Sequence, residues 1–355
     1  MTTLYRQARK LLTYYPGFFS GCDNCAHTIQ PLRSRVDHLR KPEFPIDIVY
    51  SWVDGQDRSH QIKRQLYRSK QKKLHKESAA TGRFIDNNEL LYSLRSIGEF
   101  APWVNKVFIV TDNQIPKWLN TNNHRIQVID HSQILPKHAL PTFNSHVIEA
   151  YLHLIPGLSE QYIYFNDDFF LMRETEKSDF FTSNGIPYVF SDWRESRLKG
   201  YVENNNPHTR SFFNTVRLLD LGNLPFLPII AAHGPHPQSK KNAFRTFEFF
   251  NNYIASFTAN KFRTNEEVAF YCHAAPLYTL AVHKSIPVDV NYIFLNIKRV
   301  DRKNYYTYLL KNKNSPNYPL FACFNDTTTE IGVWQRDLIA FLKHFFTKPS
   351  EFEVL

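Results

Sequence analysis

Two adjacent carboxylates follow a short apolar run near the middle of the chain. Residues 162–165 (YIYF) predict a buried strand, and Asp167 and Asp168 come just after it, preceded by Asn166. Neighbouring carboxylates repel each other, and burying them costs free energy unless a cation or hydrogen bonds offset the charge. A divalent cation such as Mg²⁺ prefers oxygen ligands and can bridge phosphate oxygens. The pair therefore predicts a metal site, with a solvated turn as the alternative.

A second polar cluster precedes a predicted helix. Asp86, Asn87 and Glu89 stand at the start of residues 88–100, whose apolar side chains have helical spacing. Asp86, Asn87 or Asn88 can be the N-cap of that helix, or the cluster can bind a substrate. Further along the same helix, the guanidinium of Arg95 can form two parallel hydrogen bonds with a phosphate or pair with a surface carboxylate. Both alternatives stay open for each residue.

Histidines and one arginine supply groups for proton transfer and for phosphate binding. His233 and His236 lie in a Pro- and Gly-rich segment, HGPHP, and imidazole titrates near neutral pH. Either histidine can therefore act as a general base, with a rigid loop of solvent-facing histidines as the alternative. Arg263 is predicted to open another helix. Asp326 closes a strand-like run at residues 320–324.

The predicted helix over residues 144–155 has a polar face. His146, Glu149 and His153 are spaced so that they share this face, while the opposite face is apolar. The helix is therefore packed against the rest of the protein. A polar cluster, a metal site and a substrate-binding face all fit the spacing.

The elements that position these residues alternate between strand and helix. Apolar runs predict strands at residues 46–53, 107–110, 126–129 and 162–165, and the two helices described above lie between them. This order predicts an α/β fold with a Rossmann-like, mostly parallel sheet flanked by helices. In open sheets of this kind ligands bind outside the carboxyl ends of the strands. Acids follow these ends at Asp54, Asp112, Asp130, Asp167 and Asp168.

Charge and hydrophobicity limit the function classes. The chain has 355 residues, 43% hydrophobic, and a formal net charge of +10, so it can bury a large core and attract polyanions. Residues 1–41 carry seven Lys or Arg against two acids, which predicts either a solvated arm or attraction to anionic lipid. The sequence lacks the interleaved aromatic and basic residues of RNA-binding modules, so we expect no nucleic-acid partner.

The localisation and the C-terminal segment can also be predicted. No apolar run reaches the about 18 residues that a membrane-spanning helix needs. We expect a cytoplasmic protein, with peripheral attachment to the inner face of the cell membrane as a further prediction. The last helix has an apolar stripe that either packs on the core or lies in the plane of a membrane. Its members are Trp334, Leu338, Phe341, Leu342 and Phe345.

Together these segments resemble the Stealth family. That family includes bacterial capsular polysaccharide phosphotransferases and the catalytic chain of the lysosomal-enzyme N-acetylglucosamine-1-phosphotransferase. Four motif regions have counterparts in this chain. They are residues 46–55, a long discontinuous region within 86–168, residues 233–236 with Arg263 and Glu266-Glu267 downstream, and residues 323–326.

The resemblance implies a sugar-phosphate transferase. An acceptor hydroxyl attacks the β-phosphorus of a UDP-sugar, UMP leaves, and hexose-1-phosphate becomes attached to a glycan through a phosphodiester. The expected sugar is an N-acetylhexosamine, and the expected product is a capsular or cell-surface polysaccharide. The alternative is a UDP-sugar-dependent glycosyltransferase, which breaks the C1–O bond of the sugar and releases UDP.

The resemblance also implies roles for individual residues. Asp168, His233, Arg263 and Asp326 are expected to be catalytic, with Mg²⁺ or another divalent cation on Asp167 and Asp168. Contacts to the UDP-sugar or to the oligosaccharide or polysaccharide acceptor are expected from Trp52, Asp54, Asp86, Asn87, Glu89, Arg95, Ser145, Glu149, His153, His236 and Asn325.

The chain is expected to divide into five segments. These are a basic N-terminal arm (1–45), a nucleotide-sugar-binding half of the catalytic domain (46–175), an inserted lobe (176–230), a second half of the catalytic domain (231–330), and a C-terminal amphipathic helix with a tail (331–355).

Overall fold

The computed structural model describes residues 41–70, 86–192, 206–226, 229–326 and 332–354, which alternate between strands and helices. The strands are β1 (Ile46–Ser51), β2 (Val107–Thr111), β3 (Ile126–Asp130), β4 (Gln161–Asn166), β5 (Phe169–Leu171), β6 (Tyr188–Asp192), β7 (Ile230–Ala231), β8 (His236–Ser239), β9 (Ile286–Asp289), β10 (Tyr292–Asn296) and β11 (Phe321–Asn325). The α-helices are α1 (Arg58–Ser69), α2 (Glu89–Phe100), α3 (Ser145–Tyr151), α4 (Pro207–Leu221), α5 (Lys240–Phe257), α6 (Ala275–Ala281), α7 (Arg302–Lys311) and α8 (Val333–Phe345).

The central sheet has the order β3-β2-β1-β4-β8. The first four strands are parallel, and β8 runs antiparallel to β4 at the edge. The predicted α/β fold with a mostly parallel sheet is therefore confirmed. Ser51 at the end of β1 is paired with both Val110 and Asn166, so the carboxyl ends of β2, β1 and β4 lie side by side.

The chain passes from the central sheet to a second sheet after β4, with two residues between β4 and β5. Its order is β10-β11-β5, with β5 antiparallel to β11 and Phe169 paired with Cys323. Asp167 and Asp168 are thus the whole connection between a strand of one sheet and a strand of another. A third small sheet, β7-β6-β9, joins β6 of the predicted lobe to β9 further along the chain.

The apolar stripe of α8 packs inside the protein. Leu338, Phe341, Leu342 and Phe345 are all buried in a cluster with Phe170 and other side chains of the second sheet. The prediction of a helix packed on the core is confirmed, and the in-plane membrane alternative for this stripe is wrong. Within the described ranges no helix is both long and apolar enough to cross a bilayer.

Three local predictions are wrong. The sequence predicts a short helix over residues 115–119, but these residues form a turn, with the backbone N–H of Leu119 donating to the carbonyl of Pro116. Arg263 opens no helix, because residues 263–269 are irregular and a π-helix begins only at Phe270 (Phe270–Ala274). His236 lies on strand β8 rather than in the loop, since Pro237 is tolerated on an edge strand. The predicted arm falls almost wholly outside the described residues.

Candidate active site

The turn between β4 and β5 holds the acidic pair. Oδ2 of Asp168 lies 3.4 Å from Sγ of Cys323, and Oδ1 is buried without a hydrogen-bond partner in the described part of the chain. Burial raises the pKa of Asp168 to about 6, against the effect of the Cys323 contact. Burial and the charge of Asp168 raise the pKa of Asp167 well above its usual range. The pair therefore resists ionisation unless a cation accompanies it.

Two further acids extend this charge cluster. Glu89 and Asp86 are, after Asp168, the main charges that raise the pKa of Asp167. Burial, with a contribution from Asp86, raises the pKa of Glu89 to about 8. Burial also raises the pKa of Asp86 to about 6, and the charge of Asp54 adds to it. The acids after β1, before α2 and after β4 therefore meet at one edge of the central sheet.

The polar residues before α2 do not form a side-chain cap. Asn88 is the N-cap residue, with φ of 63° and no side-chain capping bond. Instead the carboxylate of Glu89 accepts from the backbone N–H of Asn87 at 2.5 Å and from its Nδ2 at 2.7 Å. Asp86 accepts from the backbone N–H of Asn88 at 2.8 Å. Asn88 therefore takes the predicted N-cap position without a side-chain capping bond, and the bonds of Asp86 and Glu89 hold their carboxylates near the acidic pair.

The acidic pair suits a divalent cation that is shared with a substrate. In the part of the chain that the structure describes, no three His, Cys, Asp or Glu side chains are grouped closely enough to hold a metal ion. Mg²⁺ commonly takes only one or two protein carboxylates and completes its octahedron with waters and substrate phosphates. Asp167 and Asp168, with the unpartnered Oδ1, supply that number of ligands.

The end of β11 borders the same pair. Asp326 follows this strand, and its charge raises the pKa of Asp168, while the side chain of Asn325 lowers it. Nε2 of Gln335, on α8, donates to Oδ2 of Asp326 at 3.0 Å and fixes this carboxylate. Asn325 and Asp326 therefore lie beside Asp168.

Two histidines lie close to Phe169 of β5. The ring of His233 meets the rings of Phe169 and Phe294 edge-on, with centroids 5.4 and 5.2 Å away. His236 is buried, stacks on Tyr164 and has Nε2 3.9 Å from Sγ of Cys272. Burial lowers the pKa of His236 to about 3. The two histidines thus differ in environment although three positions separate them.

Arg263 belongs to a polar group on α3. Its Nη2 donates to Oγ of Ser145, which in turn lies 3.2 Å from Oε1 of Glu149. Burial raises the pKa of Glu149, and the charge of Arg263 opposes that shift. Burial raises the pKa of the Cys272 thiol, the charges of Glu149 and Asp168 raise it further, and the charge of Arg263 lowers it. Cys272 is therefore close enough to both the Arg263 group and Asp168 to be affected by their charges. The neighbouring Tyr271 donates its backbone N–H to Oε2 of Glu149 at 3.4 Å and stacks its ring on Tyr164 of β4, the strand that leads to the acidic pair.

The predicted polar face of α3 has three different environments. Nδ1 of His146 lies 3.0 Å from the buried carboxylate of Glu267. Glu149 belongs to the Arg263 group. His153 packs against the rings of Phe244, Phe247 and Phe270, and burial lowers its pKa to about 4. The structure does not support a metal site on this face, and the prediction that His153 contacts substrate is not supported either.

Arg95 and Trp52, both predicted to contact the substrate, are largely buried. The guanidinium of Arg95 forks onto Glu353, with Nη2 2.7 Å from Oε2, and also donates to the carbonyl of Phe346. Because this fork is already occupied, Arg95 joins α2 to the C-terminal segment rather than clamping a phosphate. Trp52 is 95% buried in the apolar core, so its indole is not free to stack on a base. Asp54 lies three residues after the end of β1, and its backbone N–H and carbonyl are both hydrogen-bonded to the side chain of Gln114.

Three site residues have no signal in the sequence pattern. Cys272 and His273 lie on the π-helix, and His208 lies in the first turn of α4. Their spacing matches no motif, because only the packing of α4 and the π-helix against the central sheet brings them together. Knowledge of these tertiary contacts would have been the one way to find them.

Comparison with known proteins bears on these residues. The models of Stealth conserved region 1 and conserved region 2 match residues 44–72 and 83–189. The capsular polysaccharide phosphotransferase LcbA of Neisseria meningitidis is 34% identical, over 95% of this chain and 98% of its own length. The chain belongs to the Stealth family. The first two predicted motif regions of this Stealth protein are thereby confirmed.

Other proteins resemble this Stealth protein over a large part of its length. The capsular polysaccharide phosphotransferase cps1A of Actinobacillus pleuropneumoniae is 38% identical, over 76% of this chain and 74% of its own. A solved structure of the galactosyltransferase LgtC aligns with 86% of this chain and 98% of its own at 11% identity, with a TM-score of 0.39. The likeness to LgtC is too weak to bear on the site.

Proposed function

We propose that this protein transfers a hexose-1-phosphate from a UDP-sugar to a glycan hydroxyl and forms a phosphodiester of a capsular or cell-surface polysaccharide. The names of its relatives support this proposal, since those proteins are capsular polysaccharide phosphotransferases. The observation that carries it is that the acidic pair follows β4, while the Arg263 group is joined through Glu149 to Tyr271, whose ring stacks on Tyr164 of the same strand. A site for phosphoryl transfer needs both a metal-binding acid pair and a fixed cation for phosphate oxygens.

The proposed roles follow from the two sides of the site. Asp167 and Asp168 would hold Mg²⁺ together with donor phosphates, and the ion would neutralise charge on the phosphoryl oxygens. Arg263 donates to the phosphoryl group from the α3 side, where Ser145 and Glu149 hold its guanidinium. Phosphoryl transfer depends mainly on such positioning and charge stabilisation.

Bond changes in the proposed reaction centre on the β-phosphorus. The acceptor oxygen bonds to it, the bond from phosphorus to the UMP oxygen breaks, and the C1–O bond of the sugar stays intact. A ring nitrogen of His233 accepts the proton of the attacking hydroxyl. With a pKa of about 3, His236 is a poor proton acceptor near neutral pH, which favours His233 for this role.

We propose a separate role for each of the predicted segments. Residues 46–175 bind the donor, residues 231–330 complete the site with the basic groups, and residues 176–230 are the lobe that faces the acceptor. We also propose that the protein works at the inner face of the cell membrane. Supporting this proposal is the basic composition of residues 1–41, which favours an anionic surface.

The nucleotide that is released tests the proposed function. Purified protein, Mg²⁺, an oligosaccharide acceptor and a panel of nucleotide-sugars should yield UMP from a UDP-N-acetylhexosamine, and a phosphodiester signal in the phosphorus NMR spectrum of the product. Release of UDP, without that signal, would instead identify a glycosyltransferase.

A pair of matched variants links the reaction to the acidic turn. Asp168→Asn removes a charge with little change in volume and should lower turnover at least about 100-fold, because it weakens the proposed metal site. The control is Asp220→Asn, at an exposed position of α4. Near wild-type turnover by a folded Asp168→Asn variant would show that Asp168 has another role.

A further inference from the structure

His208 lies close to the proposed base although it belongs to none of the four motif regions. Its ring centroid is 5.9 Å from that of His233, and the two rings are nearly perpendicular. It is also 4.7 Å from the ring centroid of His273 on the π-helix. Three histidines from α4, from the segment before β8 and from the π-helix therefore converge next to the site.

His273 fixes the position of His208. Its Nε2 lies 3.2 Å from the backbone carbonyl oxygen of His208, which assigns the proton of His273 to Nε2. His273 is buried, and it follows Cys272, whose thiol is affected by the charges of Arg263 and Asp168. The first turn of α4 is therefore held against the π-helix at the point where His208 projects its ring.

The electrostatic neighbours of His208 suit an anion. Burial lowers the pKa of His208 well below its usual range, and the groups that lower it further are His273, His233, His146 and Arg263. All of these carry nitrogen donors, and no carboxylate is among these main contributors. A neutral imidazole carries one N–H, and a phosphoryl oxygen is an acceptor that suits such a donor.

We propose that His208 is a further catalytic residue, whose ring donates a hydrogen bond to a non-bridging oxygen of the phosphoryl group during transfer. His273 is its positioning residue. This inference deepens the proposed function and rests on it, since it assigns to α4 a direct contact with the transferred group. Donors aimed at developing charge in a phosphoryl transition state accelerate the reaction without a proton transfer of their own.

Two variants of similar size isolate the hydrogen bond. His208→Gln keeps an N–H donor, whereas His208→Met fills a similar volume without one. We expect the Gln variant to retain kcat within about 10-fold of wild type and the Met variant to lose about 100-fold, as removal of one such donor does. His138→Met, at an exposed position, is the control and should leave kcat unchanged. Thermal unfolding of all variants verifies that they are folded.

The role of His273 is tested by coupling. In a His273→Phe background the difference between the Gln and Met variants at position 208 should largely disappear, while the affinity for UDP stays the same. A purely structural contribution of His273 would lower both variants equally and keep their ratio.

The outcomes separate the inference from the proposed function. Release of UMP by the wild type, with equal kcat in the folded Gln and Met variants, would overturn the role of His208 alone. Release of UDP by the wild type would overturn the proposed function, and the inference with it. Release of UMP, together with the expected ratio of kcat between the Gln and Met variants, supports both the proposed function and the role of His208.

Discussion

At the residue scale, the two histidines near the site have separate environments and should respond differently to substitution. His233→Ala should lower kcat by roughly 10²–10⁴ with little change in the KM for the donor, because it removes the proton acceptor and not a donor contact. His236→Ala should have a much smaller effect, since a buried imidazole with a pKa of about 3 is a weak base. Steady-state kinetics with varied donor checks both variants.

The pH profile gives an independent measurement of the same assignment. The acidic limb of kcat should reflect a group that titrates in the histidine range, and this limb should vanish in His233→Ala. A large loss in His236→Ala, with His233→Ala close to wild type, would transfer the role of base to His236. If neither variant loses activity, Asp168 or Asp326 is the better candidate.

Glu89 makes the metal-free protein less stable as the pH rises above neutral. Burial raises the pKa of Glu89 to about 8 in the folded chain from 4.5 as an ordinary side chain. Between these values the unfolded chain has lost the proton that the folded chain keeps, so the free energy of unfolding falls as the pH rises towards 8. Glu89→Gln should remove up to about 1.4 kcal/mol per pH unit of this slope.

Denaturant unfolding in metal-free buffer from pH 6.5 to pH 8 checks the Glu89 prediction. Ordinary histidines of the unfolded chain are still partly protonated near pH 6.5 and add a slope of opposite sign there, but wild type and Glu89→Gln share that contribution, so the difference between their slopes reports on Glu89. Glu248→Gln, at an exposed position of α5, is the matched control and should keep the wild-type slope. The same slope in Glu89→Gln and in wild type would show that Glu89 is ionised in the folded protein.

At the element scale, α2 is fastened to the C-terminal segment by Arg95. The guanidinium donates to Glu353 through Nε and Nη2 and to the carbonyl of Phe346 through Nη1. Arg95→Ala should therefore lower the free energy of unfolding by roughly 1–3 kcal/mol and leave donor KM unchanged. Arg336→Ala, exposed on α8, should change neither quantity.

Donor kinetics decides between the two roles of Arg95. A donor KM that rises strongly in Arg95→Ala, at unchanged stability, would mean that the guanidinium binds phosphate after all. We predict lower stability and an unchanged donor KM, because Arg95 and Glu353 are largely buried and belong to segments that are distant in sequence.

The sequence predicted individual strands and helices better than it predicted which strands and side chains pair with each other. The parallel strands and the acidic turn could be predicted because periodicity and the position of acids after strands are local signals. β5 was not predicted as a strand, since its three residues pair with β11 about 150 positions later. The partner of Arg95 was likewise out of reach, because Glu353 is 258 positions away and no local pattern marks it.

The candidate site shows the same limit. Asp168, Arg263 and Asp326 came from local motifs together with the resemblance. The structure places Asp326 near Asp168, and Arg263 beside Ser145 of α3. His208 and Cys272 carry no motif and enter the site only through the packing of α4 and the π-helix.

At the scale of the whole molecule, the basic arm should set membrane affinity. Deletion of residues 1–40 should weaken binding to vesicles that contain anionic lipid, at about 1 kcal/mol per lysine or arginine near the surface, and leave transfer to a soluble acceptor unchanged. Co-sedimentation at two salt concentrations measures this, with neutral vesicles as the control. Equal binding by both forms would contradict the prediction. The apolar stripe of α8 could not account for such binding, because it is already packed in the core.

The fate of one oxygen atom tests the central claim most directly. A UDP-N-acetylhexosamine carrying ¹⁸O between C1 of the sugar and the β-phosphorus is incubated with the protein, Mg²⁺ and an acceptor, and both products are analysed by mass spectrometry. Phosphoryl transfer keeps the C1–O bond, so the label should remain in the glycan phosphodiester and the released nucleotide should be unlabelled UMP. Labelled UDP together with an unlabelled glycoside would contradict the account.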